Sequence, residues 1–142
     1  MNPENQKKIT LLTGVIGEDV HVTGIRILEH ALGAAGFKVI SLGIRNSQEE
    51  FVNAAVETRP DFVLVSSLAG HARANVDGLK EKMVEAGMGN VKMYIGGILA
   101  VDEPDWAEAE NTFKALGFDR VYPPTTLPKK VVQDLEADYA AK

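Results

Sequence analysis

The sequence contains no cysteine, and this absence removes several kinds of site at once. Disulfide bonds, iron–sulfur clusters and thiolate zinc sites all require cysteine sulfur. A metal ion would therefore need histidine nitrogen or oxygen ligands, and the 142 residues include only three histidines. The imidazoles of these three histidines are the only nitrogen ligands that we expect for a metal centre.

The chain also lacks an excess of positive charge and any long apolar segment. Its formal net charge is −5, with 15 lysines and arginines scattered along the sequence. Nucleic-acid binding needs a clustered basic surface that neutralises phosphates, so we expect no nucleic-acid partner. No apolar run approaches the roughly 20 residues of a membrane-spanning helix, and residues 1–8 lack the apolar core of a signal peptide. We therefore expect a cytoplasmic protein with no membrane association.

What the sequence does have is a regular alternation of apolar strands and amphipathic helices. Hydrophobic residues make up 45% of the chain and no linker divides it, so we expect one domain over residues 1–142. A capping box at Ser47 and Glu50 marks one helix start, and Pro128 marks another. The predicted strands cover residues 9–16, 38–42, 62–66, 91–95 and 119–122. The predicted helices cover residues 23–35, 48–58, 74–86, 105–116 and 128–139.

This alternation predicts an α/β fold with a doubly wound, five-stranded parallel sheet. Helices of about a dozen residues between buried strands indicate right-handed crossovers, which we expect to place the helices alternately on the two faces of the sheet. The natural strand order is the Rossmann-like, flavodoxin-like 2-1-3-4-5. In this order the loops after the first, third and fourth strands meet at one edge, where ligands of such sheets bind.

The loop after the first strand contains the most informative residues, Asp19 and His21. A carboxylate can hold one imidazole nitrogen as N–H, which leaves the other nitrogen free to bind a metal and more basic. One histidine is too few for zinc, which takes about three protein ligands even at an open site. A single axial ligand suffices when a macrocycle occupies the other positions. His30, in the first helix, and His71, after the third strand, are more typical of solvated or packed side chains.

Small residues end the other two strands at this edge. Ser66 and Ser67 follow the third strand, and Gly96 and Gly97 follow the fourth. Taken singly, each pair is also typical of an ordinary strand end or turn. Together with His21, they predict a slot in which a long, thin ligand lies between the sheet edge and a helix, with Ser66 forming one hydrogen bond.

Other α/β sites do not match these residues. A receiver domain would have aspartate at the position of Ser66, and a P-loop would have lysine in the first loop. The spacing of Gly14 and Gly17 is not that of a dinucleotide-binding motif. Glu18 and Asp19 would repel the phosphate of a flavodoxin-type site.

The motifs Asp19-Val20-His21-Val22-Thr23-Gly24, Ser66-Ser67-Leu68 and Gly96-Gly97 resemble those of cobalamin-binding domains, in the same order and at suitable separations. The resemblance covers nearly the whole chain. It is closest to the small sigma (S) subunits of glutamate mutases, also called methylaspartate mutases. The closer likeness lies in residues 14–17, 64–68, 94–97 and 117–122.

The resemblance implies that His21 is the axial cobalt ligand in place of the cofactor's own dimethylbenzimidazole, with Asp19 hydrogen-bonded behind it. The displaced nucleotide tail would enter the slot beside Ser66, Leu68 and the two glycines. No residue of the chain is expected to be catalytic. The full set of expected cofactor-binding residues is Glu18, Asp19, Val20, His21, Val22, Gly24, Ser66, Ser67, Leu68, Gly96, Gly97, Ile98, Leu99, Ala100, Val101 and Asp102.

The resemblance further implies an adenosylcobalamin-dependent carbon-skeleton mutase, a radical isomerase that interconverts L-glutamate and threo-3-methylaspartate. The substrate would be held by a separate, larger barrel-type catalytic subunit, so the active form is expected to be a hetero-oligomer, with a heterotetramer as the working hypothesis. Without the large subunit we expect no activity.

Three alternatives remain open from the sequence. Thr125 stands where relatives often carry glycine, and residues 70–73 are more basic than is usual, which keeps the small subunit of a coenzyme-A mutase as a candidate. A corrinoid methyl carrier uses the same motif but usually has an N-terminal helical cap, whereas only about eight residues precede the first strand here. A domain that only stores or transports cobalamin is the third alternative.

Overall fold

The computed structural model describes residues 9–16, 23–67, 72–96, 106–123 and 126–141. Within these residues the chain alternates between strands and helices, as expected. The strands are β1 Thr10–Val15, β2 Lys38–Ser41, β3 Phe62–Ser66, β4 Lys92–Gly96 and β5 Arg120–Val121. The helices are α1 Thr23–Ala34, α2 Gln48–Thr58, α3 Ala72–Val76, α4 Leu79–Glu85, α5 Trp106–Ala115 and α6 Pro128–Ala140.

The strands form one sheet in the order β2-β1-β3-β4-β5, and every neighbouring pair is parallel. The predicted fold class and strand order are therefore confirmed. At the carboxyl edge, Val15 of β1 pairs with Ser66 of β3, and Ser66 pairs with Gly96 of β4. Ser66 and Gly96, two of the small residues of the predicted slot, thus lie on adjacent strands.

Two hydrophobic cores cover the two faces of the sheet, because successive side chains of a strand point to opposite faces. One face packs against α1 and α6, and the other packs against α2, α4 and α5. The first core includes Leu11, Leu32, Phe62, Leu64, Tyr94, Tyr122, Val131 and Leu135. The second includes Leu12, Phe51, Val63, Val65, Met83, Met93, Ile95 and Phe113.

The expected strict alternation of helices between the two faces is wrong. The face that a right-handed crossover covers depends on the direction in which the chain moves across the sheet. The chain moves one way from β1 to β2, which places α1 on one face, and the opposite way through β3, β4 and β5. The crossover helices of these later steps therefore share the other face, and α6 returns to lie on the same face as α1.

The single helix predicted over residues 74–86 is two helices, α3 and α4, separated at Gly78. Gly78 has φ of 88°, a left-handed conformation that a right-handed helix does not continue through. The Gln48 side-chain amide donates hydrogen bonds of 2.8 Å to the carbonyl oxygens of Asn75 and Asp77. These bonds satisfy carbonyl groups that the interruption leaves free.

Two predicted helix starts are confirmed. The Ser47 hydroxyl accepts a hydrogen bond from the Glu50 backbone N–H, and the Glu50 carboxylate accepts one from the Ser47 N–H, so the capping box of α2 is complete. Pro128 occupies the first turn of α6, where its missing N–H costs no helical hydrogen bond.

No helix within the described ranges combines the length and the apolar character that crossing a membrane requires.

Candidate functional site

A groove opens at the carboxyl edge of the sheet, above the ends of β3 and β4 and between α1 and α6. Its volume is about 280 Å³. The two helices lie on the same face of the sheet and form the side walls, and the strand ends form the floor. The lining residues are Ile25, Ile27, Leu28, Leu64, Val65, Ser66, Tyr94, Ile95, Gly96, Tyr122, Pro123, Thr126, Pro128 and Val131.

The period of the strands explains why Ser66 and Gly96 belong to this groove. Leu64 and Tyr94 point to the face that carries α1 and α6, and the residues two positions further along each strand point the same way. A Cβ atom added at Gly96 would lie 3.5 Å from the Tyr122 Cβ, which is an ordinary contact. The missing side chain of Gly96 therefore leaves free space directly above Tyr122.

The groove is mainly apolar, with a small number of hydroxyl groups. Among its lining residues, hydroxyls come from Ser66, Thr126, Tyr94 and Tyr122. Apolar walls with a few polar groups are typical of sites that bind organic ligands. The hydroxyls of the two tyrosines are already engaged by carboxylates of α6, which leaves Ser66 and Thr126 as the side chains best suited to hydrogen-bond a ligand.

The tyrosine contacts connect the groove floor to α6. The Tyr122 hydroxyl donates a 2.7 Å hydrogen bond to Asp134 Oδ2. The Tyr94 hydroxyl donates to the Asp138 carboxylate and lies 3.2 Å from the Asp134 carbonyl oxygen. Asp134 is only 6% exposed, so this carboxylate depends on protein partners for its hydrogen bonds.

Two cations complete this network. Arg120 of β5 forms a bidentate pair with Asp138, with N···O distances of 2.8 and 2.9 Å. Arg120 Nη1 also lies 3.4 Å from Asp134 Oδ1. Lys130 Nζ lies 3.1 Å from the same Asp134 oxygen, one turn away on α6. The charges of the two carboxylates are thus balanced by one arginine and one lysine.

The network shifts the pKa values of its members in directions that follow from these contacts. The hydrogen bonds from Arg120 hold the pKa of Asp138 below its ordinary value. Burial, followed by the hydrogen bond to a carboxylate, raises the pKa of Tyr94 and of Tyr122 above the ordinary tyrosine value. Both tyrosines therefore remain protonated donors throughout the physiological range.

The structure describes four of the sixteen predicted cofactor-binding residues, namely Gly24, Ser66, Ser67 and Gly96. Ser66 and Gly96 line the groove, and Gly24 lies in the first turn of α1. Ser67 is 0% exposed and, by the alternation along β3, points to the opposite face, and its hydroxyl has no hydrogen-bond partner in the described part of the chain. The predicted residues Glu18, Asp19, Val20, His21, Val22, Leu68, Gly97, Ile98, Leu99, Ala100, Val101 and Asp102 lie outside the described residues.

The sequence interpretation missed the contribution of α1, α6 and the two tyrosines to the groove. One signal was available for Tyr94, because it lies two positions before Gly96 and so shares its face. No local signal identified Val131 or Ile25, which look like ordinary core positions of amphipathic helices. Among the described residues, no group of three or more histidine, aspartate and glutamate side chains is arranged to hold a metal ion.

Comparisons with known proteins agree with this fold. The model of the B12 binding domain matches residues 9–124. The glutamate mutase sigma subunit of Carboxydothermus hydrogenoformans is 54% identical over 132 residues, which are 93% of this chain and 96% of the relative. The glutamate mutase sigma subunit of Clostridium tetanomorphum is 45% identical over 92% of this chain and 95% of the relative.

Solved structures show the same architecture. A cobalamin-binding protein from Desulfitobacterium hafniense superposes with a TM-score of 0.76 at 23% identity. The superposition covers 92% of this chain and 59% of that protein, so this chain spans less than two thirds of the solved chain. At this level of identity the likeness establishes a common fold alone.

The raised tyrosine pKa values predict a delayed alkaline titration. An unfolded tyrosine ionises near pH 10, whereas Tyr94 and Tyr122 in the folded protein ionise only at higher pH. Their contribution to stability is therefore full below pH 10 and is lost as the pH rises above it. In native protein, the near-ultraviolet absorbance of the tyrosinates of these two residues should rise only above pH 10. In urea, the same absorbance should rise near pH 10. Ionisation of all three tyrosines near pH 10, with unchanged circular dichroism, would contradict the network.

Proposed function

The chain belongs to the B12-binding domain family and groups with the glutamate mutase sigma subunits, and on this basis we propose that it is the cobalamin-binding subunit of a glutamate mutase. The observation that carries this proposal is the 54% identity to a sigma subunit over nearly the full length of both chains. The protein is then one component of an isomerase that interconverts L-glutamate and threo-3-methylaspartate. We expect it to be cytoplasmic.

The groove fits one part of such a cofactor. Sites that enclose a whole drug-sized ligand have volumes of about 300–1,000 Å³. At about 280 Å³, the groove suits the flat base of a nucleotide tail rather than an entire macrocycle. Apolar side chains of α1 and α6 would pack on the two sides of the base, and Ser66 would form one hydrogen bond with it. Gly96 would leave the space that the base needs above Tyr122.

The cobalt would be held by the loop that follows β1. We propose His21 as its axial ligand, with Asp19 accepting a hydrogen bond from the other ring nitrogen and so raising the basicity of the ligand. The remaining proposed contacts to the macrocycle and tail come from residues that follow β1, β3 and β4 at the same edge. These residues are Glu18, Val20, Val22, Gly24, Leu68, Gly97, Ile98, Leu99, Ala100, Val101 and Asp102. Ser67 is left out of this set because it is fully buried and points to the opposite face of the sheet.

The cofactor is proposed to be adenosylcobalamin, which when bound supplies an organic radical by homolytic cleavage of its cobalt–carbon bond. The residues of this chain bind and orient the cofactor and exclude water from its tail. The substrate would be held by a separate, larger subunit of barrel type. The proposed assembly is therefore a hetero-oligomer in which each chain is inactive alone.

The alternatives have less support. The corrinoid methyl carrier and the cobalamin store are compatible with the fold, but a fold likeness at 23% identity does not distinguish functions. The coenzyme-A mutase subunit has less support, because the relatives that are 54% and 45% identical to this chain carry the glutamate mutase name.

The first test concerns the groove. Gly96→Val adds a branched side chain above Tyr122 and should leave the fold intact, because valine is favoured in strands. We expect a loss of affinity for cobalamin of roughly 5- to 150-fold, since overpacking costs about 1–3 kcal/mol. Cobinamide, which lacks the nucleotide tail, should bind with unchanged affinity. An equal affinity of the variant and the parent protein for cobalamin would place the tail elsewhere.

The second test concerns the cobalt ligand. Electron paramagnetic resonance of cob(II)alamin bound to the protein should show superhyperfine splitting that changes from a triplet to a doublet when the protein is labelled with nitrogen-15. His21→Ala should abolish this label-dependent splitting. His30→Ala is the matched control, because His30 is exposed on α1 and should leave the signal unchanged. A splitting that does not respond to the label would overturn histidine ligation.

The third test concerns the reaction. The protein, adenosylcobalamin and the candidate large subunit should together convert L-glutamate into 3-methylaspartate, and omission of any one component should abolish turnover. Proton nuclear magnetic resonance of the product methyl group measures the conversion directly. Turnover of an acyl-coenzyme-A substrate, with no turnover of an amino acid, would identify the coenzyme-A mutase alternative instead.

A further inference from the structure

Helix α6 forms one wall of the groove, and its position relative to the sheet is set by polar contacts as well as by apolar packing. Pro128 and Val131 of this helix line the groove. Asp134 and Asp138, one and two turns further along, carry the carboxylates that bind side chains of the sheet. The groove-lining part and the anchored part of α6 are therefore segments of one rigid helix.

The donors that anchor α6 come from two neighbouring strands. Tyr94 belongs to β4, Arg120 belongs to β5, and Tyr122 directly follows β5. Both tyrosines also line the groove. The same two aromatic rings thus form part of the floor of the groove and hold its wall through their hydroxyl groups.

The apolar contacts of α6 define its position on the sheet less tightly than its polar contacts do. Val131 and Leu135 are buried against the sheet, but hydrophobic contact is not directional and tolerates sliding of one surface over another. The bidentate pair between Arg120 and Asp138 is directional, because both N–H···O bonds require one relative orientation. Loss of this pair would allow α6 to shift along the sheet and change the width of the groove.

We propose that Arg120, Tyr94 and Tyr122, with Asp134 and Asp138, act as positioning residues that set the width of the groove and thereby the preference of the protein for corrinoids that carry a nucleotide tail. The inference rests on the proposed function, because it takes the tail as the occupant of the groove. None of these five residues is assigned a role in the chemistry of the reaction.

Lys130 provides an internal comparison. Its ammonium group and the Arg120 guanidinium both contact Asp134 Oδ1, at 3.1 and 3.4 Å. Lys130 lies on α6 itself, however, and its side chain is 58% exposed. Removing Lys130 deletes one cation from the network without cutting any link between α6 and the sheet, whereas removing Arg120 deletes one cation and cuts such a link.

The test compares Arg120→Met with Lys130→Met by equilibrium dialysis against aquocobalamin and aquocobinamide. For Arg120→Met we expect affinity for cobalamin to fall roughly tenfold, the size of effect that one charge-assisted hydrogen bond produces, with affinity for cobinamide unchanged. Lys130→Met should change neither affinity by more than about twofold, since exposed ion pairs contribute little. Arg120→Lys, which keeps the charge but not the bidentate pair, should restore only part of the loss.

Tyr122→Phe serves as a second variant in case Arg120→Met does not fold. It keeps the ring that lines the groove, removes the hydroxyl that binds Asp134, and should show the same selective loss of cobalamin affinity. Urea unfolding of every variant establishes that the folded protein is being measured.

Several outcomes would overturn the inference. Equal losses of affinity for cobalamin and for cobinamide would indicate general damage to the protein. Equal losses of cobalamin affinity in Arg120→Met and Lys130→Met would indicate a pure charge effect. Unchanged affinities in every variant would show that the network does not influence the groove. A parent protein that binds neither corrinoid would overturn the proposed function and this inference with it. If Gly96→Val lowers the affinity for cobalamin selectively but Arg120→Met and Tyr122→Phe do not, the proposed function stands and the positioning role is rejected.

Discussion

Parallel pairing of the five strands is the constraint on which the rest of this structure depends. It brings the carboxyl ends of β1, β3 and β4 to one edge, and it pairs Ser66 directly with Gly96. Because every strand runs in the same direction, the segments that leave this edge after β1, β2, β3 and β4 each start a crossover to the next strand. The residues proposed to hold cobalamin belong to three such crossovers or to the strand ends before them.

The second constraint is the reversal of strand order at β1. The chain moves from β1 to β2 in one direction and returns past β1 in the other, so α1 and the helices of the later crossovers lie on opposite faces. The rest of the α1 face is then covered by α6, and the groove opens between these two helices at the carboxyl edge. Polar contacts hold both helices. Thr13 of β1 donates to the Glu29 carboxylate of α1, and the carboxylates of α6 bind Tyr94, Tyr122 and Arg120.

A large part of the fold was predictable because its signals are local. The Ser47 capping box, Pro128 and the apolar strands identify elements within a few residues of sequence, and parallel packing of such elements has few solutions. The break at Gly78 was missed because an isolated glycine in a helical pattern is usually tolerated. Here Gln48, thirty residues earlier in the chain, supplies the hydrogen bonds that make the break favourable.

The sequence by itself predicted the strand order, the edge of the sheet at which the groove opens, and the small residues Ser66 and Gly96 that line the groove. It did so because strand period and glycine content are properties of neighbouring residues. Only the tertiary structure decided that α6 is a wall of the groove and that Tyr94, Tyr122 and Arg120 bind its carboxylates. Those contacts join residues up to 44 positions apart, and no local pattern encodes which distant side chains will meet.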